Sequence, residues 1–147
     1  MSSADIEQLT ETAVIDWLNN HAVHGITLNI PVRYFSQDHS DTLTLPAIVV
    51  RALREAEDPP YTGIWRMRVE VELLAQADDT NEATLTAAWG NIISILGFDD
   101  LPAQLSTLAN FHCYGVVRGV AGNKQTVERH WLYAYPLTAF CMPQDNA

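Results

Sequence analysis

Histidine and cysteine are the residue types in this chain with the widest chemistry, because both ligate metal ions and both exchange protons. His112, Cys113, His130 and Cys141 fall in the last third of the sequence, where two paired strands could bring them together as a zinc site or a small metal-dependent hydrolase. Alternation along a strand nevertheless places His112 and Cys113 on opposite faces, and no Cys-x-x-Cys pair is present. The pattern favours buried cysteines and surface histidines, with a disulfide and the hydrolase as alternatives.

A second histidine pair, His21 and His24, lies at the end of the first amphipathic segment. Three-residue spacing on a helix could let both ligate one metal, but no carboxylate stands beside them at ligand spacing, and a helix C-terminus attracts cations anyway. The sequence also lacks a nucleophile elbow, a phosphate-binding loop and a His-Glu-x-x-His motif. We therefore expect no enzyme activity, no cofactor and no metal site.

Composition limits the partners of the chain. Its 147 residues and 48% hydrophobic content predict one domain, residues 1–147, with a packed core. The net charge is −10 and Lys124 is the only lysine, so specific or nonspecific nucleic-acid binding is not expected. No apolar run approaches the roughly 20 residues of a membrane span, and the first residues have no secretory pattern. We expect a chain that is made and folded in a cytoplasm and does not enter membranes.

The first half of the chain predicts one helix and two strands. Residues 4–22 have apolar side chains at helical spacing, and Gly25 supplies a stop. Residues 26–34 alternate between apolar and polar side chains, and Pro31 places that strand at a sheet edge or breaks its pairing. Residues 45–53 are almost continuously apolar, which is typical of a strand covered on both faces.

The second half predicts a strand, two helices and a long hairpin. Residues 65–75 alternate strictly, and a helix then follows, with Asp79 and Gly97 as its caps. A short helix from Asp100 to Ala109 comes next. Residues 111–120 and 126–140 form the arms of a hairpin around Gly122 and Asn123. The predicted fold is α+β: a single domain with a mainly antiparallel sheet of about five strands and two principal helices packed against it.

The residues that fit no catalytic or metal-binding pattern suggest a role in assembly with other protein subunits. Arg66, Arg68, Glu70 and Glu72 share one face of the alternating strand, which is equally the pattern of a plain solvated face. The preceding loop, residues 55–63, is long for a hairpin turn and could reach a partner. We take as interface candidates the strand face and the loop tip: Arg66, Arg68, Glu70, Glu72, Pro59, Pro60 and Tyr61. The aromatic set Trp131, Tyr133 and Tyr135 can serve either an interface or the core.

The order of these elements resembles the small tail-terminator and tail-completion proteins, which are minor tail proteins of long-tailed bacteriophages. The likeness covers residues 4–140 and rests on several short patterns. They are the strand that opens with Leu45-Pro46, the Arg-rich alternating strand ending in acids (65–79), the helix carrying Ala88, Trp89, Asn91, Ile92, Ile93 and Leu96, and the closing hairpin. Pro31 inside the first strand and the extended C-terminal hairpin depart from that pattern.

The resemblance implies a non-enzymatic virion component with no catalytic residues. Such proteins form a ring, usually of six subunits, that caps the tail tube at its head-proximal end and joins it to the head connector. The partners implied are the chain itself, the tail tube protein and the connector, and the expected location is the virion, after synthesis in the bacterial cytoplasm. If DNA passes through the ring, an acidic lumen would repel its phosphates. The rival interpretation is a cytoplasmic binding module or assembly adaptor, recognisable by a concave apolar pocket.

Overall fold

Six strands and four helices make up the described part of the computed structural model, which covers residues 3–34, 46–76, 82–122, 124–127 and 130–143. The helices are α1 (Ser3–Leu18), α2 (His21–His24), α3 (Glu82–Leu96) and α4 (Leu101–Leu105). The strands are β1 (Val32–Tyr34), β2 (Ala47–Glu57), β3 (Trp65–Gln76), β4 (Phe111–Arg118), β5 (Gln125–Val127) and β6 (His130–Pro143). None of these four helices is long and apolar enough to cross a lipid bilayer.

The strands form one sheet in the order β1-β2-β3-β6-β4, and β5 pairs with the first residues of β6. Only the β1–β2 pairing is parallel; β2–β3, β3–β6, β4–β6 and β5–β6 are antiparallel. The two long helices, α1 and α3, pack on one face of this sheet as parts of a single hydrophobic core. This arrangement confirms the predicted fold class, an α+β domain with a mainly antiparallel sheet of about five strands.

The face of the sheet beneath the helices is formed by the apolar halves of the alternating strands. Burial on β3 and β6 has a period of two, as the sequence pattern predicts for strands with one covered face. The aromatic set of β6 belongs to this core, because Trp131, Tyr133 and Tyr135 are all buried there. The central residues of this covered face are Ile48, Val50, Met67, Val69, Val71, Leu73, Leu137 and Ala139.

The first helix is shorter than predicted. The sequence indicates one helix over residues 4–22, but α1 ends at Leu18 and a separate turn, α2, follows. The break lies at Asn20, whose φ of −86° and ψ of 61° leave the helical region; asparagine has a low helix propensity. Gly25 ends α2 as expected: its φ is 77° and its N–H donates to the carbonyl of His21 at 2.8 Å.

The strand predicted over residues 26–34 is confined to β1, Val32–Tyr34. The predicted extent was wrong because Pro31 has no amide hydrogen to donate, and the ladder to β2 starts immediately after it. The carbonyl of Pro31 does accept from the N–H of Ile48, at 2.9 Å. β1 is the edge strand of the sheet, as the proline predicted.

The hairpin of β2 and β3 is longer than the sequence indicates. We expected the first strand to end at Leu53, but β2 continues to Glu57 because β3 supplies partners as far as Trp65. The register shifts between Arg54 and Ala56, so one extra residue of β2 bulges there. The strand predicted over residues 65–75 is confirmed as β3.

The C-terminal cap predicted for the second long helix is replaced by contacts from another strand. Asp79, the expected N-cap, lies outside the described residues, and Gly97 does not adopt the left-handed conformation of a C-cap. The side chain of Arg118 instead donates from Nε to the carbonyl of Leu96 at 2.7 Å and from Nη2 to that of Phe98 at 2.8 Å. A cation at a helix C-terminus satisfies free carbonyls and complements the helix dipole. Sequence spacing could not reveal this cap, because Arg118 belongs to another strand.

The C-terminal third contains three strands rather than the predicted two-armed hairpin. β4 and β5 lie one after the other along the same side of β6. Between them the backbone stays bound to β6, since the amides of Gly119 and Gly122 donate to the carbonyls of Pro136 and Ala134 at 2.9 and 2.8 Å. A Cβ at Gly119 would come within 2.7 Å of Pro136, so glycine permits this close approach. The predicted turn residue Asn123 lies outside the described residues.

The short helix before β4 also ends early. We expected it to reach Ala109, but α4 ends at Leu105. The hydroxyl of the next residue, Ser106, accepts from the N–H of Cys113 at 2.9 Å and lies 3.2 Å from its carbonyl oxygen. This contact across seven residues fixes the end of α4 against the edge of β4.

Candidate functional site

The structure does not assemble the four residues proposed for zinc or hydrolysis. Cys113 and Cys141 are direct partners on β4 and β6, and both are buried and free, which confirms the packed-cysteine prediction. His112 faces the opposite side, where its ring contacts that of Tyr114 with centroids 4.4 Å apart. His130 lies at the other end of β6, roughly 40 Å along the strand from the partner of His112.

The two thiols pack against each other beneath the helices. Proximity to the Cys113 thiol, together with burial, raises the pKa of the Cys141 thiol far above its ordinary value. A thiol in this state is a poor nucleophile and a poor metal ligand. Cys141 is therefore part of the core, and Cys113 is buried beside it.

In the second histidine pair, the ring of His24 is engaged in contacts with the backbone. The N–H of Ile26 donates to Nδ1 of His24 at 3.1 Å, and Nε2 of His24 lies 3.1 Å from the carbonyl of Leu18. Both contacts are satisfied together by the neutral ring that carries its proton on Nε2, which leaves no lone pair for a metal. His24 thus closes the turn after α1. Throughout the described residues, no three His, Cys, Asp or Glu side chains are grouped as metal ligands.

The main surface feature is the side of the sheet that the helices leave uncovered, which we call the open face. It carries the side chains of β2, β3 and β6 that alternate with the covered face, and none of the described helices packs on it. This face consists of two neighbouring halves with different side-chain chemistry. We call the part on β2 and β3 the charged half and the part on β6 the apolar half.

The charged half is a network of ion pairs in which the predicted interface residues take part. Nη2 of Arg51 lies 2.6 Å from Oε2 of Glu70 and 3.4 Å from Oε1 of Glu72. Arg68 holds the other oxygen of Glu70 at 3.0 Å, and Arg66 lies 3.6 Å from a carboxylate oxygen of Asp58. The network contains three arginines and three carboxylates. The chain as a whole is strongly acidic, but on this half of the face the paired carboxylates are matched by arginines, and Glu55 lies close to Arg68 as a further carboxylate.

The network holds its two glutamates in different states. The hydrogen bond from Arg51 lowers the pKa of Glu70 below its ordinary value. Burial raises the pKa of Glu72, against the attraction of Arg51. Two adjacent carboxyl groups with opposite pKa shifts can serve acid–base chemistry, but here both oxygens of Glu70 already bind arginine. The arrangement is that of a structural network.

The apolar half has no charged side chain along the open side of β6 from residue 132 to residue 142. A strand with one exposed side usually alternates between apolar residues on its covered side and polar residues on its exposed side. Over this length, β6 is largely apolar on both sides. Thr138 is the one polar side chain in the row, and Pro136 is exposed. The residues in question are Leu132, Ala134, Pro136, Thr138, Phe140 and Met142.

The loop between β2 and β3 projects the remaining predicted interface residues into solvent. Pro59, Pro60 and Tyr61 are all exposed, and Tyr61 has 99% of its surface accessible. The loop starts where the charged half ends, because Asp58 pairs with Arg66. The structure thus places every predicted interface residue on one continuous region.

Sequence analysis missed two carboxylates that complete the sheet edge. β1 covers β2 only as far as Val50, and beyond it Oε2 of Glu11 accepts from the N–H of Ala52 at 3.2 Å, while Oε2 of Glu7 accepts from that of Arg54 at 3.0 Å. The four-residue spacing of the glutamates on α1 matches alternate amides of β2, but that match exists only in three dimensions. Both groups shield an edge that could otherwise pair with another strand.

Glu11 carries an energetic cost in this position. It is 6% exposed, and its Oε1 atom has no hydrogen-bond partner among the described residues. Burial raises its pKa despite the hydrogen bond from Ala52, and the charge of Glu7 adds to the rise. Glu11 is therefore a stability determinant whose effect depends on pH.

Neither the models of known protein families nor the curated proteins match the sequence of this chain. Any functional conclusion therefore depends on the chemistry of the open face and its loop.

Proposed function

We propose that this chain is a non-enzymatic structural protein of a bacteriophage tail, a tail terminator that assembles into a ring on the end of the tail tube. The observation that carries the proposal is the open face, whose apolar half has no charged side chain over eleven residues of β6 (132–142). A surface of this kind is typical of a protein–protein interface.

The charged half supports the same proposal through its ion pairs. A chain with a net charge of −10 repels copies of itself, and that repulsion is weaker where arginines neutralise the carboxylates. The pairing of Arg51 and Arg68 with Glu70 gives a face that another copy can approach. Arginine in such a network can also exchange one carboxylate for another across an interface.

A ring requires two different surfaces on each subunit, because a head-to-tail contact closes only when one patch binds a complementary patch. The open face and the exposed loop around Tyr61 supply two candidates. The fold class agrees with the family that the element order resembles. That resemblance implies the other partners, the tail tube protein and the head connector, as well as the hexameric ring and a location at the head-proximal end of the tail.

Native mass measured by light scattering across a concentration series tests the proposal. We expect the 16.4 kDa chain to give a species near six times its mass, either free or after addition of purified tail tubes, which it should then cap. Ala134→Glu, which places a charge in the apolar half, should abolish assembly, whereas Ala83→Glu on the exposed side of α3 should not. A chain that stays monomeric and does not bind tubes contradicts the proposal.

A second candidate, the binding module or adaptor, is favoured by one cavity. A recess of about 220 Å³ between the end of β3 and the start of α3 combines apolar Ile30, Ala75 and Leu85 with polar Asn29 and Gln76. A small-molecule screen by thermal shift tests this function. A ligand whose effect disappears in Leu85→Trp, which would fill the recess, would favour the module over the ring.

A further inference from the structure

The loop joining β2 and β3, residues 58–64, is held in one shape by its own hydrogen bonds. The N–H of Asp58 donates to the carbonyl of Ile64 at 2.9 Å, and the N–H of Gly63 donates to a carboxylate oxygen of Glu57 at 3.0 Å. The hydroxyl of Thr62 donates to the carbonyl of Pro59 at 2.6 Å. We call this segment the tip loop. A preordered loop loses little conformational entropy when it binds a partner.

Tyr61 occupies an unfavourable backbone conformation at the end of the tip loop. Its φ is 64°, a left-handed region where glycine or asparagine is at ease and a bulky side chain costs about 1–2 kcal/mol. Its ring is 99% exposed, so contacts within the described chain do not compensate that cost. Strain of this kind is concentrated at binding sites, and tyrosine is among the residues that dominate interface energetics.

A groove on the open face has matching chemistry. It crosses three strands at the row where Arg68 of β3, Thr138 of β6 and Val117 of β4 are neighbours, and it has a volume of about 340 Å³. Val117 is 61% exposed, and the exposed ring of Pro136 lies beside it. We call this recess the face groove. It combines apolar Val117, Pro136 and Leu137 with charged Glu55, Arg68 and Arg118, and it is large enough for an aromatic ring.

The polar groups of the loop and of the groove are also complementary. The side chain of Arg68 is 59% exposed at the groove, where its guanidinium can stack on an aromatic ring or bind a carboxylate. The tip loop presents both groups, the ring of Tyr61 and the carboxylate of Asp58, which is held by Arg66 only at 3.6 Å. The hydroxyl of Thr138 can bond to the phenol oxygen.

We infer that Tyr61 of one copy of this chain binds in the face groove of a second copy. This contact rests on the proposed self-assembly and would join one subunit of the assembly to the next. The tip loop is the rigid insert, the face groove is its receptor, and Asp58 of the first copy exchanges its weak pair with Arg66 for one with Arg68 of the second. Because insert and receptor are different surfaces, the contact can repeat from subunit to subunit.

Replacing Tyr61 by asparagine separates this role from a structural one. Asparagine tolerates the left-handed conformation, so Tyr61→Asn should leave the melting temperature unchanged or slightly raised while weakening self-association about tenfold or more. Val23→Asn, which changes an exposed valine of α2, is the matched control and should leave association unchanged. Wild-type association that Tyr61→Asn does not weaken overturns the inference. A wild-type chain that stays monomeric up to its solubility limit overturns it as well.

Cross-linking tests the receptor. A mixture of two single variants, Pro60→Cys and Val117→Cys, keeps the ring of Tyr61 and should give a covalent dimer in oxidised glutathione, by thiol–disulfide exchange that releases two reduced glutathione molecules for each new disulfide. A mixture of Pro60→Cys with Val23→Cys is the control. Equal yields in both mixtures would reject the face groove as receptor. Tail-tube capping is a separate measurement: cross-linked copies that do not cap tubes would retain this contact and reject the proposed function.

Discussion

The two faces of the central sheet differ in both composition and cover. On the helix side, β3 presents only apolar residues: Trp65 is partly buried, and Met67, Val69, Val71, Leu73 and Ala75 are buried in the core. On the open side, the same strand presents Arg66, Arg68, Glu70 and Glu72 in ion pairs, and β6 presents an apolar row with no described helix over it. One strand therefore serves two surfaces of different chemistry.

This difference separates residues that maintain the fold from residues available to a partner. Burial beneath the helices demands apolar side chains, because an unpaired polar group there costs several kcal/mol. The open side tolerates charge, since its arginines and carboxylates neutralise one another and keep contact with water. Substitutions on the helix side should change stability, whereas those on the open side that leave its ion pairs intact should mainly change association.

Thiol labelling should show the largest contrast between the faces. Cys113 and Cys141 lie under the helices, so they react only when β4 opens, and an opening that costs about 4 kcal/mol slows labelling roughly a thousandfold. The raised pKa of Cys141 slows it further. In Thr138→Cys the new thiol on the open face should react at once. Rapid labelling of the wild-type chain would show that β4 is not docked as described.

Neighbouring leucines on β3 offer a matched comparison of stability. Leu73 is fully buried beneath the helices, and Leu74 is half-buried on the open face. Leu73→Ala should lower the free energy of unfolding by about 2–5 kcal/mol, and Leu74→Ala by less than about 1.5 kcal/mol. Urea titration measures both. Equal losses would mean that the open face is as well covered as the core.

Removing the central arginine tests the charged half. Arg51→Met leaves Glu70 and Glu72 without their shared partner and should cost about 1–3 kcal/mol at pH 7. Because Arg51 lowers the pKa of Glu70, this stability is present above the ordinary value of 4.5 and is lost as pH falls through the lowered folded value. The difference from wild type should therefore shrink in acid. A deficit that is constant with pH would contradict the electrostatic account.

The smallest expected effect concerns the buried carboxyl at the β2 edge. Burial raises the pKa of Glu11 in the folded protein, so the protonated carboxyl favours the folded state. This contribution to stability is complete below the ordinary pKa of 4.5 and is lost as the pH rises through the raised pKa of the folded protein. Glu11→Gln keeps the acceptor for Ala52 and removes the charge. We expect it to be about 1 kcal/mol more stable than wild type at pH 7 and equal to it near pH 4. Thermal melts at both pH values check this, with Asp16→Asn, at an exposed carboxylate of the same helix, as the control.

Several elements could be read from the sequence because their causes are local. The alternation of β3 and the αL stop at Gly25 each follow from residues within one element. The predicted interface residues of β3 also fall on one surface, since alternation assigns Arg66, Arg68, Glu70 and Glu72 to a single face. Which face of the sheet the helices would leave open could not be deduced from spacing.

Other features depend on contacts between distant segments. Arg118 caps α3 from across the sheet, and Glu11 satisfies an amide 41 residues away. The third strand of the C-terminal region exists because Gly119 and Gly122, which precede β5 in the chain, keep the backbone hydrogen-bonded to β6. No local pattern encodes these partners, because each one depends on the final position of another element.

The sequence alone specifies the period, and therefore the two-sided character, of each long strand, because side-chain direction along a strand is local geometry. The tertiary structure decides which side receives helices, how the arginines and glutamates are paired, and where the face groove forms. Those outcomes arise from packing between elements far apart in the chain, for which only the folded arrangement supplies the neighbours. Tyr61 depends on both kinds of information. The conformation of its loop is set by residues close in sequence, whereas the inferred receptor groove forms only when three strands lie side by side.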